Sequence, residues 1–226
     1  MEIYFIRHGE TDLNKKQICQ GQLNGVKLNK TGVRQSILTA KYLKNFRLES
    51  GTFNCIYSSC LDRAIETAEI IAKELNYCPN KIICEDKLNE KDSGIFNGKK
   101  KVKKHKIYNK YSEELKKECN YDPILITNYK YKIDHKLFYK YKVETNNQLN
   151  LRAKKFIKEL EESNFKKVII VAHGKIITSI LNIIFNINHP LRDPNENSNC
   201  FICYVTYNKG IYKMITPPNV DHLLKK

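Results

Sequence analysis

The sequence is poor in arginine and glycine and has no long apolar run. Of its 40 basic residues, 34 are Lys and six are Arg: Arg7, Arg34, Arg47, Arg63, Arg152 and Arg192. Where Lys is the default cation, each Arg is a candidate for work that Lys cannot do, above all gripping an oxyanion with a planar fork of donors. Glycine numbers nine, and five of these (Gly9, Gly21, Gly94, Gly98 and Gly174) fall inside the motifs below, each marking a candidate tight turn or close backbone approach. Residues 168–172 are among the longest apolar stretches, far short of the ~18 residues of a membrane span, so no membrane partner is expected. The amino terminus enters a strand-like segment at once, without a basic start, a long apolar stretch or a small-residue cleavage site. The expected location is therefore cytoplasmic.

What is present describes a folded protein. The 226 residues are 41% hydrophobic and 28% charged, which is enough apolar side chain for a core and not the profile of a disordered chain. A formal charge of +16 favours anionic partners, whether phosphorylated metabolites, nucleic acid or acidic lipid. Eight cysteines in a chain without a leader read as reduced, mostly buried thiols. Cys200 and Cys203 have CxxC spacing but no second pair. A zinc site needs about four convergent ligands, so the pair reads as structural and no metal is expected.

Residues 2–7 read as a buried strand ending in Arg-His-Gly. Residues 10–30 look polar and irregular. Thr31 is placed to cap a helix over about 32–46, with Val33, Ile37, Ala40 and Leu43 or Tyr42 at helical spacing. A strand over 53–57 precedes Ser58-Ser59 and a helix whose face carries Leu61, Ala64, Ile65, Ala68, Ile71, Ala72 and Leu75. A third strand is expected over 81–85. Residues 99–142 hold 14 Lys against five acids, with Tyr interleaved, and fit no simple pattern. Leu149, Ala153, Phe156, Ile157 and Leu160 then make an amphipathic helix. Residues 168–172 form a buried strand, and 175–185 an apolar helix. Residues 200–206 and 211–215 form a hairpin turning at Asn208-Lys209-Gly210. Strands alternating with helices give an α/β fold, a three-layer αβα sandwich on a mostly parallel sheet. One domain over 1–226 is expected, with 99–142 as a helical, Lys/Tyr-rich cap insertion.

Four segments end strands or follow them: Arg7-His8-Gly9-Glu10-Thr11, Ser58-Ser59 with Arg63, Leu88-Asn89-Glu90 and Ala172-His173-Gly174. In a doubly wound sheet they converge on one crevice. Phosphoryl transfer has a use for every member. A neutral imidazole attacks phosphorus, and two guanidiniums bind the equatorial oxygens. A second imidazole, held protonated by the phosphate, adds a donor. A carboxylic acid protonates the departing oxygen and then serves as base toward water. Gly174 opens a helix whose first amides favour a phosphate.

The blocks also have a recognisable order. Arg7-His8-Gly9-Glu10-Thr11-Asp12-x-Asn14 comes first, followed by Gln20-Gly21-Gln22-Leu23-Asn24 and the stretch through Arg34-Gln35. Tyr57-Ser58-Ser59-x-Leu61-x-Arg63-Ala64-x-x-Thr67-Ala68 is the second block, Leu88-x-Glu90-x-x-x-Gly94-x-Phe96-x-Gly98 the third and Val171-Ala172-His173-Gly174 the fourth. This set resembles the histidine phosphatase superfamily, also called phosphoglycerate mutase-like, and is closest to its phosphatase and cofactor-dependent mutase members. The resemblance implies that His8 is the phosphorylated nucleophile, that Arg7, Arg63 and His173 complete the phosphate pocket, and that Glu90 is the proton donor and acceptor. It implies substrate contacts for Asn14, Gln20 and Gly21, and for Lys101, eleven residues after Glu90. Two departures separate the chain from the mutases. Ser93 stands where mutases carry Tyr in the third block, and no Arg pair precedes Tyr121-Asp122-Pro123.

The expectation is therefore a metal-independent phosphatase that hydrolyses a small phosphorylated substrate through phosphohistidine, with no cofactor. One alternative is a mutase, which would need 2,3-bisphosphoglycerate. Another is a nucleic-acid-binding protein using Lys and Tyr of 99–142. Because Lys excess pervades the chain, no specific nucleic acid is expected. A homodimer is the default assembly.

Overall fold

The computed structural model describes residues 1–50, 52–118, 133, 135–187 and 198–224. The Tyr121-Asp122-Pro123 stretch and Arg192 lie outside them. Six strands form one sheet: β1 (Glu2–Arg7), β2 (Cys55–Ser58), β3 (Ile83–Cys84), β4 (Lys167–Ala172), β5 (Ile202–Asn208) and β6 (Ile211–Asn219), in the order β3-β2-β4-β1-β5-β6. Strands β1 to β4 pair in parallel, and β5 runs antiparallel to both β1 and β6. The helices are α1 (Asp12–Lys15), α2 (Lys30–Ser50), α3 (Asp62–Glu74), α4 (Lys101–Glu118), α5 (residues 135–141), α6 (Asn146–Glu161), α7 (Gly174–Ile184) and α8 (Asp221–Leu224). None of the described helices is long and apolar enough to cross a membrane.

The central strands are apolar throughout because both faces of the sheet are covered. Along β1, Ile3 and Phe5 join a core with Phe156 and Ile157 of α6 and with Ile176 and Ile180 of α7. The alternate residues Tyr4 and Ile6 pack the other way, against Leu43 of α2 and Ala64, Ala68 and Ile71 of α3. This two-residue alternation makes the chain a three-layer αβα sandwich.

Several local expectations need correction. The cap of α2 is Asn29, whose Oδ1 accepts from the Gly32 amide at 2.9 Å. Thr31 lies inside the helix, which starts earlier because Asn is the stronger cap. Its buried face runs through Ser36, Thr39, Ala40 and Leu43, and Val33 falls off that face at 39% exposure. The third strand shrinks to two exposed edge residues, since Pro79–Lys81 curls into a 3₁₀ turn. The polar segment 10–30 contains α1, closed by a capping box between Thr11 and Asn14. The hairpin turns through Lys209 and Gly210, both at positive φ. Its second strand continues through Pro217 and Pro218, which an edge strand tolerates.

Ile133 and Leu137 of the Lys/Tyr-rich segment, with Val143 just beyond it, enclose Phe96, and Ile107, Tyr111 and Tyr141 pack against them. Part of 99–142 is thus anchored to the loop that follows Glu90. Four of the described cysteines are buried and three (Cys60, Cys78 and Cys84) are exposed, so the thiols are less uniformly internal than expected, and all are free.

The loop after His8 runs against the start of α2 with no room for a side chain. A Cβ on Gly9 would lie 2.6 Å from the Gly32 carbonyl oxygen, and one on Gly32 would meet the Glu10 backbone. Helix propensity alone favours Gly32→Ala. The packing reverses that sign, and the substitution is expected to destabilise by about 1–3 kcal/mol. Urea unfolding measures it, and an unchanged or raised midpoint would contradict this packing.

Candidate active site

In the parallel pairing of β1 with β4, Arg7 stands opposite Ala172. The next residue on each strand is a histidine. The His8 amide donates to the Ala172 carbonyl at 3.0 Å, and the two imidazole centroids lie 5.0 Å apart. Strand β2 ends alongside, where the Ser59 amide donates to the Val171 carbonyl at 2.9 Å. The carboxyl ends of three neighbouring strands therefore meet at one place, as the topology requires. His8 and His173 are 2% and 0% exposed, so neither is a surface imidazole.

Hydrogen bonding fixes which nitrogen of each ring carries the proton. His8 Nδ1 lies 2.7 Å from the Gly9 carbonyl, which can only accept, so Nδ1 carries the proton and Nε2 holds a lone pair. His173 is set by a longer chain of contacts. The Cys60 amide donates to Asn89 Oδ1 at 3.0 Å, which identifies that atom as the amide oxygen. The Ser59 hydroxyl must then donate to the same oxygen, at 2.8 Å, and accept from His173 Nε2–H, also at 2.8 Å. Nδ1 of His173 is left buried without a partner among the described residues. The rings thus carry protons on opposite nitrogens. Burial holds both pKa values well below the ordinary histidine value, and the charges of Arg63 and Arg7 push the same way. Without a ligand both rings are neutral. Protonated His173, foreseen as a phosphate donor, requires the anion to be present.

Arg63, on the first turn of α3, is 1% exposed. Its Nη2 donates to the Gly21 carbonyl at 2.7 Å and its Nη1 to the Leu23 carbonyl at 3.3 Å. Burial pushes its pKa down to about 10, with Arg7 adding to the effect and Glu90 opposing it, so it stays charged at neutral pH. Arg7, at the end of β1, is 8% exposed and contributes to the field at both imidazoles. Gly21 sits at φ 46° and serves here by aiming its carbonyl at Arg63. Glu90 is half-buried. Its Oε1 accepts from the Lys91 amide at 2.8 Å, and its Oε2 lies 3.5 Å from the Lys175 amide in the first turn of α7. Gly174 opens that helix immediately after His173.

The remaining predicted residues divide. Asn14 Oδ1 is committed to scaffolding, accepting from the Thr11 amide at 3.2 Å and from Asn199 at 3.3 Å. Gln20 is buried, with its Oε1 3.1 Å from the Thr11 hydroxyl. Lys101 begins α4, half-buried, close enough for its charge to be felt with those of Arg7 and Glu90. The described residues contain no group of three or more His, Cys, Asp or Glu side chains suited to a metal ion.

Sequence reasoning missed the supporting residues. Arg152 on α6 binds Glu144 from Nε at 2.8 Å and donates to the carbonyls of Lys87, Asn89 and Glu90 at 2.7, 2.6 and 3.1 Å. One guanidinium therefore holds the whole Glu90 loop. Its rarity as an Arg was the available signal. Thr67 accepts from the Gly9 amide at 3.0 Å and fixes the turn after His8. Asn89 and Ser59 lay inside recognised blocks, but nothing in their spacing announced their bond.

This arrangement of fold and site has a family. Residues 3–216 match the model of the histidine phosphatase superfamily (branch 1), and the chain belongs to that superfamily. Among curated relatives, it is 29% identical over 210 residues to the 2,3-bisphosphoglycerate-dependent phosphoglycerate mutase of Buchnera aphidicola subsp. Cinara cedri (strain Cc), covering 83% of this chain and 85% of that one. A 96-residue match at 40% identity to the uncharacterized phosphatase PhoE of Bacillus subtilis (strain 168) covers 42% of this chain and only 45% of that protein. Among solved structures, the phosphoglycerate mutase of Bacillus anthracis str. Sterne superposes with a TM-score of 0.78 at 24% identity, over 99% of this chain and 95% of that one. That likeness concerns the fold.

Two outcomes test the proton assignments. In Ser59→Ala the His173 Nε2–H loses its acceptor, so ¹⁵N spectra should change from a single Nε2–H tautomer to a mixture. Stability should drop by about 1–3 kcal/mol, the cost of a buried unsatisfied donor. A single unchanged tautomer would overturn the Ser59–Asn89 chain. Acid should also unfold the protein through its histidines. His8 and His173 sit well below 6.5, and burial pushes His222 down to about 4. All three are folded neutral, so below about pH 6.5 the unfolded chain binds more protons. Stability is then lost as pH falls, by about 1.4 kcal/mol per pH unit for each group. Urea midpoints between pH 7 and 5 should decline accordingly, and a flat profile would contradict the shifts.

Proposed function

We propose that the chain is a phosphomonoesterase that works through a phosphohistidine on His8 and requires no metal. The observation that carries this reading is the pair of neutral, oppositely protonated imidazoles 5.0 Å apart beside a buried Arg63. The lone pair of His8 Nε2 forms the new bond to phosphorus as the ester P–O bond breaks. The Nδ1–H bond to Gly9 supports the positive charge that develops on the ring. Arg7 and Arg63 take the equatorial oxygens. His173 gains its second proton as the dianion arrives and donates through Nδ1. Glu90, entering as the acid, gives its proton to the departing alcohol. Its carboxylate then takes a proton from water as that oxygen attacks phosphorus and the P–N bond breaks, returning His8 and releasing phosphate. The guanidinium pair supplies the charge stabilisation, so no step calls for a Lewis acid or cofactor. We read the described part of 99–142, helices α4 and α5, as a basic cap beside this site, and the free thiols among the described residues fit the cytosol.

The mutase reading has one observation in its favour, the long match to a bisphosphoglycerate-dependent mutase. Against it stand Ser93 in the position of the mutase Tyr and the absence of Arg from 99–142. A panel of phosphate esters, assayed with and without 2,3-bisphosphoglycerate, separates the two. Phosphate release independent of bisphosphate supports hydrolysis, and bisphosphate-dependent interconversion of phosphoglycerates reinstates the mutase. His8→Ala should abolish turnover with the fold intact. Glu90→Gln should cost roughly 10²–10⁴-fold on esters with poor leaving groups and much less on aryl esters. Equal slowing across a leaving-group series would remove Glu90 from the role of acid.

A further inference from the structure

Helix α4 turns an unusual face inward. From its start to Tyr111, the half-buried positions are Lys101, Lys104, Ile107 and Tyr111, at helical spacing, while Val102, Lys103, His105 and Lys106 are exposed. Farther along, that face does what an inward face ordinarily does, with Ile107 and Tyr111 packing on the cluster around Phe96. Its first turn instead presents two ammonium groups. The Lys104 amine donates to Ser93 Oγ at 3.0 Å, and Ser93 is itself only 7% exposed. Neither Lys101 nor Lys104 makes an ion pair among the described residues. Their charges are instead felt with Glu90 and with the further cation Lys175, and that of Lys101 also with Arg7. Asp92, the other carboxylate near Lys104, already accepts from the Gly94 amide and from Asn97 at 2.9 and 2.8 Å. Burial pushes both lysine pKa values down.

Partly desolvated ammonium groups without a carboxylate partner are costly, and an apolar side chain would serve packing better. Two of them, one turn apart beside a pocket that already holds two guanidiniums, make a site for anionic charge beyond one phosphate. We propose that Lys104, held by Ser93, forms with Lys101 a second anion subsite that selects phosphomonoesters carrying a further carboxylate or phosphate group. Lys104 is the specificity-determining residue. Ser93 is small enough to let the lysine reach in and supplies the hydroxyl that aims it.

This inference rests on the phosphomonoesterase reading for its first anion, but its test needs no turnover. Three-carbon esters differing in one group serve as probes: glycerol 3-phosphate, 3-phosphoglycerate and glycerol 1,3-bisphosphate. Their binding to His8→Ala protein is measured by calorimetry. At least one of the two doubly anionic esters should bind about tenfold or more tighter than glycerol 3-phosphate, and which one does identifies the second group. Adding Lys104→Met should cut that preference to below about threefold, whereas Lys103→Met, on the exposed side of α4, should keep it. If Lys104→Met does not fold, Lys104→Gln, which removes the charge but keeps a donor for Ser93, must give the same collapse. Three outcomes overturn the subsite: no preference in the His8→Ala protein, a preference that survives loss of the Lys104 charge, or equal erosion by Lys103→Met. Failure of the phosphatase reading shows separately, as absence of phosphate release by the unaltered protein.

Discussion

The register of two parallel strands governs this molecule. Because Arg7 faces Ala172 across β1 and β4, the residues that follow are forced side by side as both strands end. Those residues are His8 and His173, separated by most of the sequence and brought together by the hydrogen-bonded register of β1 and β4. A slip of one residue would turn the apolar side chains of β1 to the wrong faces. The core on either side of the sheet therefore also protects the pairing of the imidazoles. Stability and site geometry share one cause here.

The two rings are then differentiated by what each strand end meets next. His8 turns sharply into Gly9, and its Nδ1 finds the carbonyl of that same turn. The turn is possible because Gly9 lies against Gly32 with no space for Cβ atoms. His173 meets Ser59 at the end of β2, and Ser59 is governed by Asn89 from the loop that carries Glu90. One histidine is thus set locally and the other through a relay from two further segments. The relay ties the tautomer of His173 to the Glu90 loop, which Arg152 clamps by three of its carbonyls.

Much of this was legible in the sequence, for identifiable reasons. The strands at 2–7 and 168–172 were legible as buried apolar runs and the helix after Ser59 by its apolar periodicity, and the Arg-His-Gly and His-Gly pairs mark strand ends by their chemistry. Where two weak signals competed, the reading failed. Thr31 and Asn29 are both capping residues, and only the contact of Asn29 with Gly32 decides between them. The short third strand looked longer because periodicity does not register the turn that Pro79 begins. The scaffold of the site was opaque for another reason. Asn14 was read as a substrate contact from its place in a block, and nothing in that block announced that its Oδ1 also accepts from Thr11 and Asn199. Ser59 to Asn89, and Arg152 to Glu144, are bonds between segments whose approach only the fold determines.

Charge makes the same distinction between composition and placement. An excess of Lys spread over the surface is solvated and carries little information, which is why net charge pointed only to anions in general. Arg152 is informative for a different reason than its rarity suggested, since its fork grips carbonyls and Glu144 rather than a ligand. The lysines that matter are those the fold pulls out of water. Lys167 is 2% exposed, with Glu2 3.8 Å away and an aromatic ring beside it, so its charge is met within the sheet. Lys104 has a hydroxyl and, among the described residues, no carboxylate in ion-pair contact. Two buried or half-buried lysines of one chain are thereby separated by their surroundings. One is paired within the protein, and the other, with only the more distant charges of Glu90 and Asp92 to meet it, is left able to take an anion.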